Sequence, residues 1–208
     1  MKTDITSISP HLVSWNVYDP AVKTDLTSNA ILTSEGWWII DPTPLAEEPL
    51  NALRSRGPIL GILLTNENHE RASFELSKKL NCSIHSHEFT LGLMGIHPDF
   101  FFRDKDRLKR EIEVIHLPGA SMGESCFYDM KHRILLMGDA LINLPETGFT
   151  FLPDKYCKDS LLAKKSLHCL LDLEIDVLTF AHGSPIVSEA KKKLEELLTG
   201  KTEAAKSC

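Results

Sequence analysis

Four loops carry nearly all the side chains of this chain that could do chemistry, and each follows a short apolar run. The first is Thr65-Asn66-Glu67-Asn68-His69-Glu70-Arg71, a dense run of amides, carboxylates, an imidazole and a guanidinium. The others are His116 to Ser125, Gly138-Asp139-Ala140 and Ala181-His182-Gly183-Ser184. Imidazole and carboxylate bind divalent metals and also move protons near neutral pH. A metal centre and metal-free acid–base chemistry by His182 with a carboxylate are therefore both open. Ser121 and Ser125 have no evident Ser–His–Asp arrangement, and no phosphate-cradling glycine loop is present.

Rigid strands must aim such loops. Asn29 to Thr33 and Trp37 to Ile40 flank Ser34-Glu35-Gly36 as strand, turn and strand, closed by Asp41-Pro42. Ile59 to Thr65 is apolar on both faces and reads as a buried strand. Ala72, Leu76 and Leu80 fall four apart, which predicts a helix from near His69. Short strands are expected over Cys82 to His85, Glu111 to His116, Arg133 to Met137 and Val177 to Phe180. Helices are expected over Asp159 to Leu173 and Val187 to Leu198, the second stopped by Gly200. Strands first, with helices interleaved singly, predict two mixed sheets packed face to face with helices outside.

At 208 residues, with 42% hydrophobic and 25% charged residues, the composition fits one ordinary globular domain. A formal net charge of −6 argues against nucleic-acid or anionic-membrane partners. Lys191-Lys192-Lys193 reads as a solvated helix face, because Glu195 and Glu196 follow. No stretch is long enough to span a membrane, and the N-terminus lacks signal-peptide character. Five cysteines (Cys82, Cys126, Cys157, Cys169, Cys208) show no Cys-x-x-Cys spacing, so a cytoplasmic setting is expected. Residues 201–208 are expected to form a disordered tail.

NAILTSEGWWIIDP, LLTNENHE, the helix leading to CSIHSHE, VIHLPGASMGES, LLMGDAL and TFAHGSP, in that order, resemble the metallo-β-lactamase superfamily. The resemblance covers nearly the whole chain and implies a four-layer αβ/βα sandwich, α/β in class, of mostly zinc-dependent hydrolases. Its first motif, Thr-His-x-His-x-Asp-His, falls on Thr65 to Arg71. That places Asn66 and Asn68 at the leading histidines, Glu70 at the aspartate and Arg71 at the last histidine. Ala120 stands where Pro-Gly-His would supply another ligand. Asp139 matches the bridging carboxylate and His182 the late histidine, and these two are the candidate catalytic residues.

Amides are poor zinc ligands, alanine offers nothing, and guanidinium stays charged and cannot coordinate. A unit charge about 4 Å from a divalent ion costs roughly 8 kcal/mol at an effective dielectric near 20. Arg71 is therefore expected to replace the missing ion's charge by pairing with Glu70 or Asp139, and no dinuclear metal site is expected.

The other residues of the expected pocket are Asn66, Asn68, His69, Glu70, His116, Ala120 and Ser121. His69 occupies no ligand position of the motif and is read as lying near a helix start. A structural hydrogen bond is the expected job of His116, and His85 with His87 would share one strand face. Leu91 to Phe102 is either a lid over the pocket or, through Phe100 to Phe102, satellite core. Beside metal-free acid–base chemistry by His182, two functions are open. One is a non-catalytic member, without cofactor, that binds a small molecule or protein in the old pocket. The alternative is a hydrolase with one zinc, iron or manganese ion held by Glu70, Asp139 and His182.

Overall fold

The computed structural model describes residues 5–200, so the expected tail over 201–208, with Cys208, lies outside the described residues. Seven strands form the first sheet in chain order: β1 (Thr6–Ser9), β2 (Leu12–Asp19), β3 (Thr24–Leu32), β4 (Trp37–Ile40), β5 (Ile59–Leu63), β6 (Ser83–His87) and β7 (Phe100–Phe102). Strands β1 to β4 pair antiparallel, and β4 to β7 pair parallel. The next four are β8 (Arg107–Leu108), β9 (Ile112–His116), β10 (Ser125–Asp129) and β11 (Ile134–Leu136). A separate hairpin pairs β12 (Leu141–Leu144) with β13 (Gly148–Phe151), and β14 (Val177–Thr179) ends the series. The second sheet runs β14-β11-β10-β9-β8.

Trp37 to Ile40 shows how the layers stack. All four residues are buried, because each face of β4 has a core of its own. Trp38 and Ile40 join Leu63, Phe102, Val114, Phe127 and Leu136 between the sheets. Trp37 and Ile39 face the opposite way, the period-2 consequence of strand geometry. They pack with Leu50 and Leu53 of α1 (Glu47–Arg54) and Leu76 of α2 (Ser73–Leu80). On the far side of the second sheet, Phe180 and Leu178 pack with Ala163 of α3 (Ser160–Ser166) and Leu194 of α4 (Ala190–Thr199). Helix, sheet, sheet, helix is the expected four-layer sandwich.

Several boundaries differ from the sequence reading. The helix after β5 starts at Ser73, not near His69, because Arg71 takes a left-handed φ of 41° that no helix continues. Asp159 caps α3 by accepting from the Leu162 amide, but the helix tightens to 3-10 geometry over Leu167–Asp172. Residues Leu91 to Phe102 do not line the main cleft. Phe102 is inter-sheet core, Met94 and Ile96 pack against the helix-side core, and Phe100 and Phe101 are exposed on an edge strand. Of the residues expected as satellite core, Phe102 alone is buried, and the lid is not supported. Among the described residues no helix is long and apolar enough to cross a membrane.

Candidate metal centre

The loop after β5 does not keep the side-chain alternation of a strand, and this decides which residue reaches the centre. Thr65 continues the strand direction and is anchored by Asp41, the residue that follows β4. The Thr65 amide donates to Asp41 Oδ1 at 2.9 Å and its hydroxyl to Oδ2 at 2.6 Å. The chain then turns, and His69 rather than Glu70 enters the interior. His69 Nδ1 lies 2.9 Å from Asp41 Oδ2. Its Nε2 lies 3.2 Å from Asp139 Oδ1, and His182 Nε2 lies 3.2 Å from the same oxygen. Ligand atoms of His69, Asp139 and His182 all fall within 4.8 Å of one another.

Hydrogen-bond partners fix the tautomers. Asp41 is held below the usual carboxylate range: burial opposes its charge, but His69 beside it outweighs the burial. A charged Asp41 can only accept, so His69 Nδ1 carries a proton toward it. His182 Nδ1 lies 3.2 Å from the carbonyl oxygen of Asp25, which also can only accept. Both rings therefore turn Nε2 toward Asp139 Oδ1. That oxygen is buried and makes no aligned hydrogen bond, although both nitrogens are close enough for charge attraction. Two neutral rings aiming lone pairs at a carboxylate oxygen would repel it, so positive charge belongs between them.

Asp139 itself is held well below the usual carboxylate range: burial opposes this, and the adjacent His69 and His182 outweigh it. His69 is buried and, despite that burial, is raised to about 9 by Asp139 and Asp41. Below Asp139 sits Glu124, wholly inaccessible, pushed up to about 8 by burial and the Asp139 charge. Asn66 bridges the two carboxyl groups. Its Nδ2 donates to Glu124 Oε2 at 2.9 Å and to Asp139 Oδ2 at 3.1 Å. Gly138 is required here, since a Cβ would stand 2.5 Å from Glu124 Oε1.

The expected residues divide accordingly. Asn68, His69, Arg71, Ala120, Ser121, Asp139 and His182 line one cleft of about 1540 Å³. Asn66 is buried beneath the cleft with its amide consumed. Glu70 turns away, its carboxylate accepting from the Gly95 amide, so it cannot be the ligand proposed for it. His116 is not in the pocket either. It stacks on His87 at 4.2 Å and approaches the Met122 carbonyl, the structural role expected of it. His85 and His87 share a face of β6 but engage Ser83 and the Phe89 amide.

Arg71 also departs from expectation. Its guanidinium donates to the carbonyls of Thr27 at 2.7 Å, Asp41 at 2.9 Å and Ala181 at 3.4 Å, not to a carboxylate. It pins the first sheet to the loop that carries His182. Asp41 and Glu124, which do shape the centre, went unread in the sequence. In sequence, Asp41 only closes a turn as Asp41-Pro42, and Glu124 lies within the altered Pro-Gly motif.

The donor set tests what ion could fit. A dinuclear site does not: Ala120 offers no ligand, Asn66 is committed to carboxylates, and Arg71 is tied to carbonyls. A single-ion site does. Tetrahedral ligands about 2.0–2.1 Å from zinc stand roughly 3.3 Å apart; the two Nε2–Oδ1 separations are close to that, and the three ligand atoms all lie within 4.8 Å of one another. Each imidazole also has the outer oxygen partner that metal-bound histidines require.

The chain belongs to the metallo-β-lactamase superfamily, whose model matches residues 5–201. Among solved structures, the DIM-1 metallo-β-lactamase is 15% identical, covers 97% of this chain and 99% of that one, and superposes with a TM-score of 0.77. The metallo-β-lactamase from Pontibacter korlensis is 17% identical over 96% of this chain and 100% of that one, with a TM-score of 0.73. TTHA1623, solved in a di-iron-bound form, is 24% identical over 86% and 96%, with a TM-score of 0.64. Likeness at these identities establishes the fold alone. No curated protein matches the chain.

Proposed function

We propose that the protein is a single-ion hydrolase of the superfamily, with His69, Asp139 and His182 holding one divalent cation at the floor of the cleft. The convergence of three ligand atoms, with both rings already oriented by Asp41 and the Asp25 carbonyl, carries this reading. A divalent ion so held supplies Lewis acidity and acidifies water at neutral pH. Asp41 keeps His69 in the tautomer that frees Nε2, and Thr65 steadies Asp41. Tyr18, Val22, Leu45, Leu144 and Tyr156 give the cleft apolar walls that exclude water from a bound small molecule.

The test is calorimetric titration of the metal-free full chain with zinc, iron(II) and manganese(II), followed by a panel of chromogenic esters and thioesters. One ion per chain, and hydrolysis that is lost on chelation and restored on reloading, support the proposal. Titration without uptake overturns it.

One observation favours a second reading, a metal-free pocket that binds a small ligand. His69 lies between two carboxylates that stabilise its charged form, with a pKa raised to about 9. An imidazolium there supplies part of the positive charge that Asp139 needs. A chain that takes up no ion, yet melts higher with a small molecule from a ligand screen, would favour this reading.

A further inference from the structure

Glu124 has no ligand role, cannot be reached from solvent and stands one side chain away from the centre. Its contacts nonetheless converge on Asp139 from three directions. Glu124 Oε1 accepts from the amide of Ala140, the residue after Asp139, at 3.0 Å. The same oxygen packs on Gly138, the residue before it, closely enough that any side chain there would collide. Glu124 Oε2 accepts from Asn66 Nδ2, whose second proton reaches Asp139 Oδ2. Ser121 Oγ adds a donor to Oε2 at 3.3 Å.

The orientation of Asn66 is not free. Its Oδ1 accepts from the Asn68 amide at 2.9 Å, and a flipped amide would set that oxygen against two carboxyl groups. Asp139 Oδ2 is therefore turned toward Asn66, and Oδ1 is the oxygen that faces the imidazoles. We propose that Glu124 is the positioning residue of this centre: acting through Asn66, the Ala140 amide and Gly138, it fixes Asp139 as a one-oxygen ligand. The proposal rests on the single-ion reading above.

The experiment compares parent, Glu124→Ala, Glu124→Gln and Asn66→Ala as full chains. Zinc affinity and stoichiometry are measured by titration, the visible absorption of the cobalt(II)-loaded protein is recorded, and melting is the folding control. Loss of an outer partner of a ligand weakens metal binding by about 10- to 100-fold. Glu124→Ala and Asn66→Ala should show that loss with altered cobalt bands. Glu124→Gln, which keeps one acceptor oxygen, should lose less. If Glu124→Ala does not fold, Asn66→Ala carries the same comparison. Folded variants that melt lower but keep the parent affinity and cobalt spectrum overturn the proposal, since that is what a purely structural carboxyl would give.

A parent that binds no ion overturns the single-ion reading instead. The clamp is then judged in the metal-free protein by exchange of the Asn66 side-chain amide protons. Slow exchange in the parent that becomes fast in Glu124→Ala supports the clamp, and fast exchange in the parent overturns it.

Discussion

Replacing Arg71 separates its two candidate roles, stand-in for a missing cation and structural pin. The guanidinium makes two short carbonyl bonds, 2.7 Å to Thr27 and 2.9 Å to Asp41, and a longer one of 3.4 Å to Ala181. Hydrogen bonds to a charged group are worth about 1.5–3 kcal/mol each, so the two short ones amount to roughly 3–6 kcal/mol. Arg71 borders the cleft, and water can re-solvate part of the loss, which places Arg71→Ala near 3 kcal/mol. For a chain of this size that lowers Tm by about 6–12 °C. Arg71→Lys keeps one compact charge and should recover about half of it. Arg71→Gly should be milder than Arg71→Ala by about 1 kcal/mol, because glycine relieves the left-handed φ of 41°. Thermal melts of the three variants, in chelator and in zinc, provide the assay. Each variant should keep the parent's zinc response, since Arg71 bonds to carbonyls and not to a ligand. If Arg71→Ala melts within about 2 °C of the parent, the pin is refuted. If it gains a zinc shift the parent lacks, Arg71 was substituting for the ion after all.

His69→Ala should abolish zinc uptake while Glu70→Ala leaves it unchanged, read by titration; the reverse order would restore Glu70 as the ligand. Zinc affinity should rise from pH 7 to 9, because the Nε2 proton of His69, held to about 9 by Asp139 and Asp41 against burial, must leave first. Calorimetry in buffers of different ionisation enthalpy counts that proton, and a pH-independent affinity would contradict it. Burial lowers His85 and His87 to about 4, with His116 adding to the effect at His87. Between pH 6.5 and 4 the unfolded chain then binds protons that the folded chain does not, so stability present above pH 6.5 falls as the pH drops through that window. Acid-denaturation profiles of His87→Phe should be flatter than the parent's there; identical profiles would show that His87 titrates normally.

The layers were legible because their signals are repeated along the chain. Trp37 to Ile40 and Ile59 to Leu63 are apolar on both faces, which demands a core on each side of the sheet. Asp139 and His182 were legible because each closes a short turn just past a buried strand, β11 and β14, leaving little freedom in where the side chain points. The loop from Asn66 to Arg71 was not. Register transfers along a strand or helix, but here the chain turns and Arg71 is left-handed, so counting residues put Glu70 where His69 lies. Glu124 and Asp41 were illegible for another reason. Their partners are 58 and 28 residues away, at Asn66 and His69, and a carboxylate reveals such a role only through what it touches.

The most direct test of the single-ion centre is the metal content of the 208-residue chain, purified without chelator or metal-binding tag, for the parent and for His69→Ala/His182→Ala. One divalent ion per parent chain, absent from the double variant, is the expected result. Two ions per chain would contradict it by requiring ligands that Asn66, Ala120 and Arg71 cannot provide. No ion in the parent, even after incubation with zinc, iron(II) and manganese(II), would contradict it and favour the metal-free pocket.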